Sequence, residues 1–365
     1  MKKQERIFVI GHKNPDTDSI CSAIAYADIK NRTTQNKKYI PKRAGQINEE
    51  TRYVLNRFGV QPPAYLGNIG TQVKDMDIRT SPQADKNMSL KNTWDLMQEN
   101  GIVSLPIRDK DGCLEGLVTI GDIAKTYMDT TDSYLLSNAR TQYQRIAETV
   151  GGEVVEGNGH GYFVKGRVLV GTANPKMLEG YVEEDDMIIM GDREEDHLQA
   201  ISQNVSCIIV GLNIVVSEKV IKLAHEKNIV IIRSPYDTFN IARLINQSIP
   251  VSFVMKRDNM VTFNTEDFTD DIQDVMIKNR HRAFPVINPH GKCIGTISRR
   301  NFLDMHKKKV VLVDHNEVDQ AVDNIEKAEI LEIIDHHKLG TLQTMTPVAF
   351  RNEPVGCTGT ILYEI

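Results

Sequence analysis

Three acidic motifs, each directly downstream of a short run of aliphatic and β-branched residues, constrain this chain more than any other feature. Residues 6–10 lead into His12-Lys13-Asn14-Pro15-Asp16-Thr17-Asp18, residues 310–313 into Asp314-His315-Asn316-Glu317, and residues 329–334 into Asp335-His336-His337. Short runs this apolar read as strands buried on both faces, as in a parallel sheet of the α/β class. Side by side, parallel strands bring the residues at their carboxyl ends to one edge, where open α/β sheets take their ligands. The carboxylates and imidazoles of the three motifs are therefore expected to converge, although they are remote in the chain.

Between the first motif and the other two the pattern is interrupted. Ile20, Ala23, Ile24 and Ala27 recur at helical spacing, with Asp18 or Ser19 placed to cap the helix. A second βα unit follows, with a strand over 39–44 and a helix over 49–58 closed by Gly59, and Pro62-Pro63 ends it. The pattern returns at Val310, with a helix predicted over 318–325 between two strands. One sheet is thus split by a long insertion.

The insertion contains an internal repeat. Residues 72–128 run through a helix, the Pro-containing turn Gly101-Ile102-Val103-Ser104-Leu105-Pro106-Ile107, and the strand-to-helix step Gly116-Leu117-Val118-Thr119-Ile120-Gly121-Asp122. Residues 251–306 repeat that order with Arg282-Ala283-Phe284-Pro285-Val286-Ile287 and Gly295-Thr296-Ile297-Ser298-Arg299-Arg300-Asn301. The repeat resembles a pair of cystathionine-β-synthase (CBS) modules, a likeness that implies adenine nucleotides as ligands. Asp122 is suited to accept from ribose hydroxyls and Thr119 to reach phosphate near a helix start, with Asn301 and Ser298 as their counterparts. Arg282 is suited to pair with phosphate, and the Phe284 ring to pack on a base or on the twin module. Val103 and Leu105 stand at the matching first-copy positions, so the half-sites are unequal. The block between the copies has a Gly-rich start and a βα pattern at 208–233, and it resembles the DRTGG domain.

Composition narrows the classes. A length of 365 residues suits two to three domains, and 40% hydrophobic with 25% charged residues is ordinary globular usage. A net charge of −5 without a basic stripe argues against nucleic acid as partner. The start carries no apolar leader and the stretch 205–216 is too short to span a bilayer, so no membrane association is expected. Five cysteines, odd in number and never paired as C-x-x-C, fit a reducing compartment, and cytoplasm is the expected location.

The donor types carry the chemistry. Clustered carboxylates can neutralise and bridge two divalent cations, while imidazole shifts the preference from Mg²⁺ toward Mn²⁺, Co²⁺ or Zn²⁺. Two such ions about 3.5–4 Å apart are suited to hydrolysis at phosphorus. Any one of the loops alone reads as a capped βα turn, whereas three at strand ends read as a site.

His12 to Ser19 (HKNPDTDS), Leu312 to Glu317 (LVDHNE), Ile334 to His337 (IDHH) and Pro354 to Thr360 (PVGCTGT) resemble the family II inorganic pyrophosphatases of the DHH phosphoesterase superfamily. The CBS–DRTGG–CBS insertion points to their nucleotide-regulated branch. The resemblance implies a Rossmann-like parallel-sheet DHH domain over 1–66 and 309–365, CBS modules at 67–130 and 249–308, and a DRTGG-like domain at 131–248. It implies hydrolysis of diphosphate to two phosphates by metal-activated hydroxide, with two Mn²⁺ or Co²⁺ ions in the enzyme and Mg²⁺ on the substrate. His12 and Asp16 would hold one ion, Asp18 and His336 the other, and Asp314 both. His337 would meet the substrate and, with Asp314 and His12, form the catalytic set, while Asp335 and His315 would orient the ligating groups.

In relatives of this type AMP and ADP inhibit and ATP activates, and a homodimer is expected. The family pattern continues to a further aspartate and a basic DHHA2 domain, so a C-terminally truncated chain of weak or no activity is expected. A DHH phosphodiesterase acting on oligonucleotides or cyclic dinucleotides, and a non-catalytic adenylate sensor, are the alternatives.

Overall fold

The computed structural model describes residues 4–128, 132–172, 180–303, 305–340 and 343–365. Contacts divide the chain into two compact units, the first made of Met1–Asp77, Asn264–Arg280 and Arg299–Ile365, the second of Ile78–Phe263 and His281–Ser298.

In the first unit, β1 (Glu5–Ile10), α1 (Thr17–Thr33), β2 (Lys37–Arg43), α2 (Glu49–Arg57) and β3 (Ala64–Tyr65) precede α3 (Thr269–Lys278). There follow β4 (Lys309–Val313), β5 (Glu329–Asp335), β6 (Ala349–Asn352) and α4 (Thr358–Tyr363). The sheet order is β6-β5-β4-β1-β2-β3, and every pairing is parallel, from Ile7 opposite Lys309 to Ile334 opposite Arg351. The chain runs outward from β1 in one direction and from β4 in the other, so the β1–β4 junction is a topological switch point where the loops part and leave a crevice.

Both faces of this sheet are covered, as the apolar runs require. Ile7, Val9, Val311 and Val313 join α1 and α4 through Ala23, Tyr26, Ala27, Ile361 and Leu362, while Ile10, Val310, Leu312, Ile330 and Ile333 form a second core with Ala321, Val322 and Ile325.

Two local expectations are corrected. Helix α1 is capped by Asp16, whose Oδ1 accepts from Ser19 N at 2.9 Å, rather than by Asp18 or Ser19. No α-helix forms over 318–325; two 3₁₀ turns, Val318–Gln320 and Ile325–Lys327, stand there. The backbone of Asp323 pairs with the chain at 67–69 instead, through Ile69 N→Asp323 O at 3.0 Å, and Asn324 takes a left-handed φ of 63°. Those tertiary hydrogen bonds replace the helical ones.

The second unit holds a five-stranded sheet in the order Glu153–Glu156, Val230–Arg233, Cys207–Val210, Met187–Met190, Val168–Val170, parallel except for the first strand. It also holds two antiparallel hairpins, Ser104–Arg108 with Leu114–Thr119 and Phe284–Ile287 with Cys293–Ile297. One continuous core runs from Leu90, Leu105 and Val118 to Ile146, Met187 and Ile209.

The repeat copies complete one another. Arg79, ahead of the first hairpin, pairs with Thr296 of the second, and Lys256, ahead of the second, pairs with Leu117 of the first, each through two hydrogen bonds of 2.9–3.0 Å. The glycine at the equivalent place in each hairpin admits this crossing chain. A Cβ on Gly295 would lie 2.4 Å from Arg79 O, and one on Gly116 would lie 2.7 Å from Met255 Sδ. Backbone cannot retreat as a methionine side chain can. Gly295→Ala is therefore expected to cost about 1–3 kcal/mol in denaturant unfolding, with Gly116→Ala costing less; equal costs, or none at Gly295, would contradict the crossing. Among the described residues no helix is long and apolar enough to cross a membrane.

Candidate metal centre

The crevice at the switch point gathers the three motifs. His12 and Asp16 follow β1, Asp18 lies in the first turn of α1, Asp314 follows β4, and His336 follows β5. Asp314 is 1% exposed and has a left-handed φ of 63°, a conformation aspartate tolerates better than most residues, with its N–H bonded to Ile334 O at 2.9 Å.

Each Asp314 oxygen faces a different imidazole. Oδ2 lies 3.3 Å from His12 Nε2, which is itself 3.9 Å from Asp16 Oδ1. Oδ1 lies 3.4 Å from His336 Nε2, which is 3.8 Å from Asp18 Oδ2. Donor atoms of His12, Asp16 and Asp314 all lie within 4.8 Å of one another, as do those of Asp314, His336 and His337.

His336 Nδ1 donates to Val355 O at 3.0 Å, so Nε2 presents its lone pair to Asp314 and Asp18. His337 Nδ1 donates to Asp335 Oδ1 at 2.8 Å. That nitrogen is committed, which leaves Asp18 as the better third candidate beside His336, while the other nitrogen of the half-exposed His337 ring has no bond to Asp335. A cleft of about 290 Å³ adjoins, lined by His12, Lys13, Asn14, Asp319, Gln320 and His337.

The electrostatics favour cations. Burial, helped by the charges of Asp18 and Asp16, pushes the Asp314 carboxyl up against the opposing contacts of His12 and Thr358. Burial alone would pull His12 down, yet Asp314, Asp16 and Asp335 outweigh it and hold the imidazole above its ordinary value. Asp314 Oδ2 is buried with no hydrogen-bond partner despite the nearby His12. Carboxylates crowded around an orphaned oxygen, with imidazole lone pairs at hand, fit a pair of divalent ions of the Mn²⁺ or Co²⁺ type.

The supporting groups differ from those expected. Asp335, fully buried, orients His337 and the loop backbone, accepting from His336 N, His337 N and the Asn316 amide. The ring of His336 is set by Val355 instead. His315 orients no ligand: its Nδ1 donates to Val313 O, its Nε2 has no partner, and its ring meets His12 edge-on at 6.4 Å. Burial pushes its pKa down to about 4, so it is neutral.

The candidate nucleotide residues are divided. In the second unit, Asp122 Oδ2 accepts from Thr119 N at 2.9 Å and Thr119 Oγ1 at 2.6 Å, while Lys256 lies 3.6 Å from Oδ1. Lys256 had no signal in the sequence, since only the crossing chain brings it there. Arg282 is exposed, and Ser298 directly follows the second hairpin, whose last strand ends at Ile297. Of the roles open to Phe284, packing on a base does not fit: the ring is 0% exposed, in the core with Phe263 and His281. Asn301 belongs to the first unit, in a 3₁₀ turn rather than the expected helix, and donates to Asp77 O at 2.6 Å.

Comparison with known proteins places these features. The CBS domain model matches residues 73–129 and 251–308, and the DRTGG domain model matches 145–248. A crystal structure of the CBS and DRTGG domains of the regulatory region of Clostridium perfringens pyrophosphatase, complexed with its activator diadenosine tetraphosphate, superposes with a TM-score of 0.60 at 32% identity. It covers 63% of this chain and 100% of that one. A cobalt-dependent inorganic pyrophosphatase of Clostridium perfringens is 40% identical over 356 residues, 98% of this chain. This chain belongs to the inorganic pyrophosphatases that carry CBS and DRTGG domains. A probable manganese-dependent inorganic pyrophosphatase of Thermotoga maritima is 37% identical over 364 residues. The chain spans 65% and 66% of the lengths of these two relatives.

Asp335 provides a test of the loop that this family motif builds. Burial raises its carboxyl pKa, but hydrogen bonds from His337, Asn316 and the backbone outweigh burial and hold it below the ordinary 3.8. A depressed carboxyl stabilises the fold above its unfolded value, and that contribution is lost as pH falls through the folded value. In chelator-treated protein, Asp335→Asn is expected to cost about 2–3 kcal/mol at pH 7 and to flatten the acid limb of the stability curve below pH 3.8. Parallel acid limbs in the two proteins would remove this role.

Proposed function

We propose that the chain hydrolyses inorganic diphosphate at a two-metal centre, and that adenine nucleotides bound by its CBS pair set the rate. The observation that carries this reading is the single buried carboxylate of Asp314, whose two oxygens face two separate imidazole–carboxylate sets. His12 and Asp16 would hold one Mn²⁺ or Co²⁺ ion, Asp18 and His336 the other, and Asp314 both. Such a pair of ions supplies the Lewis acidity that acidifies water and neutralises phosphoryl charge. The chain's own groups do the rest: Asp335 holds His337 with Nε2 turned to the cleft, where the doubly protonated ring would donate to a phosphate oxygen, and the adjoining cleft admits a substrate carrying Mg²⁺.

Thr119, Asp122, Lys256, Arg282 and Ser298 are the candidate nucleotide groups of the second unit. AMP, ADP and ATP are the proposed ligands. A dinucleoside polyphosphate joins them, because the similar regulatory region was crystallised with one as activator. The protein acts in the cytoplasm as a homodimer in this reading.

Phosphate release from diphosphate is expected in the presence of Mn²⁺ or Co²⁺, and Asp314→Asn is expected to lower it at least about a hundredfold. AMP is expected to bind by calorimetry and to change that rate. Release indifferent to Asp314→Asn would sink the metal mechanism, and AMP binding without any release would leave a sensor in place of an enzyme.

A further inference from the structure

The Pro354-Val355-Gly356-Cys357-Thr358-Gly359-Thr360 segment meets the metal centre through the Val355 carbonyl on His336 and through Thr358. Thr358 is 0% exposed and touches both carboxylates on the His336 side of the crevice. Its Oγ1 donates to Asp314 Oδ1 at 3.0 Å and its backbone N–H to Asp18 Oδ2 at 2.6 Å.

A carboxylate offers about four acceptor positions, and the occupied ones can be counted. Asp18 Oδ1 accepts from Gly359 N at 3.0 Å and from Ser22 Oγ at 3.1 Å, and Oδ2 accepts from Thr358 N. One position remains, on Oδ2, the oxygen 3.8 Å from His336 Nε2. On Asp314, Oδ1 gives one position to the Thr358 hydroxyl and lies 3.4 Å from the same nitrogen, whereas Oδ2 has no hydrogen bond at all. The open positions on Asp314 Oδ1 and Asp18 Oδ2 therefore flank the lone pair of His336, and the side chain that restricts the first belongs to the residue whose backbone restricts the second.

We propose that Thr358 is a positioning residue of the metal centre: its hydroxyl on Asp314 Oδ1 and its backbone N–H on Asp18 Oδ2, with the Ser22 hydroxyl on the far oxygen of Asp18, leave one acceptor position open on each of those two oxygens for the ion beside His336. The ion beside His12 and Asp16 uses Asp314 Oδ2, which Thr358 does not touch. This assignment rests on the two-metal reading given above. It predicts an asymmetric effect, since support of a ligating carboxylate acts on the ion that the carboxylate holds.

The test titrates Mn²⁺ into the chelator-treated full chain by calorimetry, with the spin coupling between the two ions followed by electron paramagnetic resonance. His336→Ala and His12→Ala, each expected to remove one ion, identify the two binding events. Thr358→Val, which keeps the shape and the backbone N–H, is expected to weaken the His336-side ion about 10- to 100-fold, to leave the His12-side ion unchanged, and to abolish the spin coupling at limiting metal. Thr358→Ser is expected to restore all three readouts.

Equal weakening of both ions, unchanged binding, or failure of Thr358→Ser to restore it overturns the assignment. Should thermal melting show that Thr358→Val does not fold, Ser22→Ala takes its place. It removes the hydroxyl that holds the far oxygen of Asp18, and unchanged affinity on the His336 side then overturns the assignment. A parent chain that binds no Mn²⁺ overturns the two-metal reading itself, whereas two ions in the parent with Thr358→Val indistinguishable from it overturns the role of Thr358 alone.

Discussion

The buried carboxylate of Asp314 is the constraint around which the first unit is organised. It sits where β1 and β4 lie side by side and the chain leaves them in opposite directions, so groups from β1, α1 and β5 reach it from different sides. Burying it unpaired would be unfavourable, because a desolvated carboxylate needs either a proton or a cation. The raised carboxyl of Asp314 and the raised imidazole of His12 are two expressions of that demand. A left-handed backbone at Asp314 and a helix start carrying Thr358 fix the carboxylate in place. The like charges are assembled at the edge of a sheet whose two covered faces carry apolar cores.

The second unit shows a different dependence of part on whole. Its hairpins are copies in sequence, yet neither is finished by its own leading segment, because Arg79 pairs with Thr296 and Lys256 with Leu117. Glycines stand at the equivalent positions, Gly116 and Gly295: at Gly295 the backbone of the other copy passes at a distance no side chain would permit, and at Gly116 the Met255 side chain presses closest. The exchange also delivers Lys256 to Asp122, adding a cation beside a carboxylate that the first copy alone holds only through Thr119. The core is continuous with that of the DRTGG block, so the modules named by the repeat are parts of one hydrophobic body.

Most of the candidate metal site was legible because its signal is local. A strand buried on both faces must be apolar at nearly every position, and a ligand loop must begin where that run stops, so the three acidic clusters stood out behind such runs, while the choice of His12, Asp16, Asp18, Asp314 and His336 within them came from the family resemblance. The residues that orient them were less legible. Asp335 was expected to orient ligating imidazoles and instead holds His337, and His315 was assigned a similar role but bonds only to the backbone. Val355 acts through a carbonyl and Thr358 through a hydroxyl that many threonines possess. Nothing in their residue types separates these roles from ordinary packing. Phe284 errs in the same way, since an aromatic in a Pro-containing strand has the same letters whether it faces a base or the core.

By itself the sequence determined the parallel α/β class, the split of one sheet by a repeated insertion, and the set of donor residues, because hydrophobic periodicity and donor chemistry are properties of short segments. Tertiary structure decided which oxygen of Asp314 faces which imidazole, which nitrogen of each histidine is free, that residues 318–325 give up helical hydrogen bonds for pairing with 67–69, and that each hairpin is closed by the other copy's chain. Each of these is a choice among partners of similar local energy, settled only when segments remote in the chain compete for the same hydrogen-bonding positions.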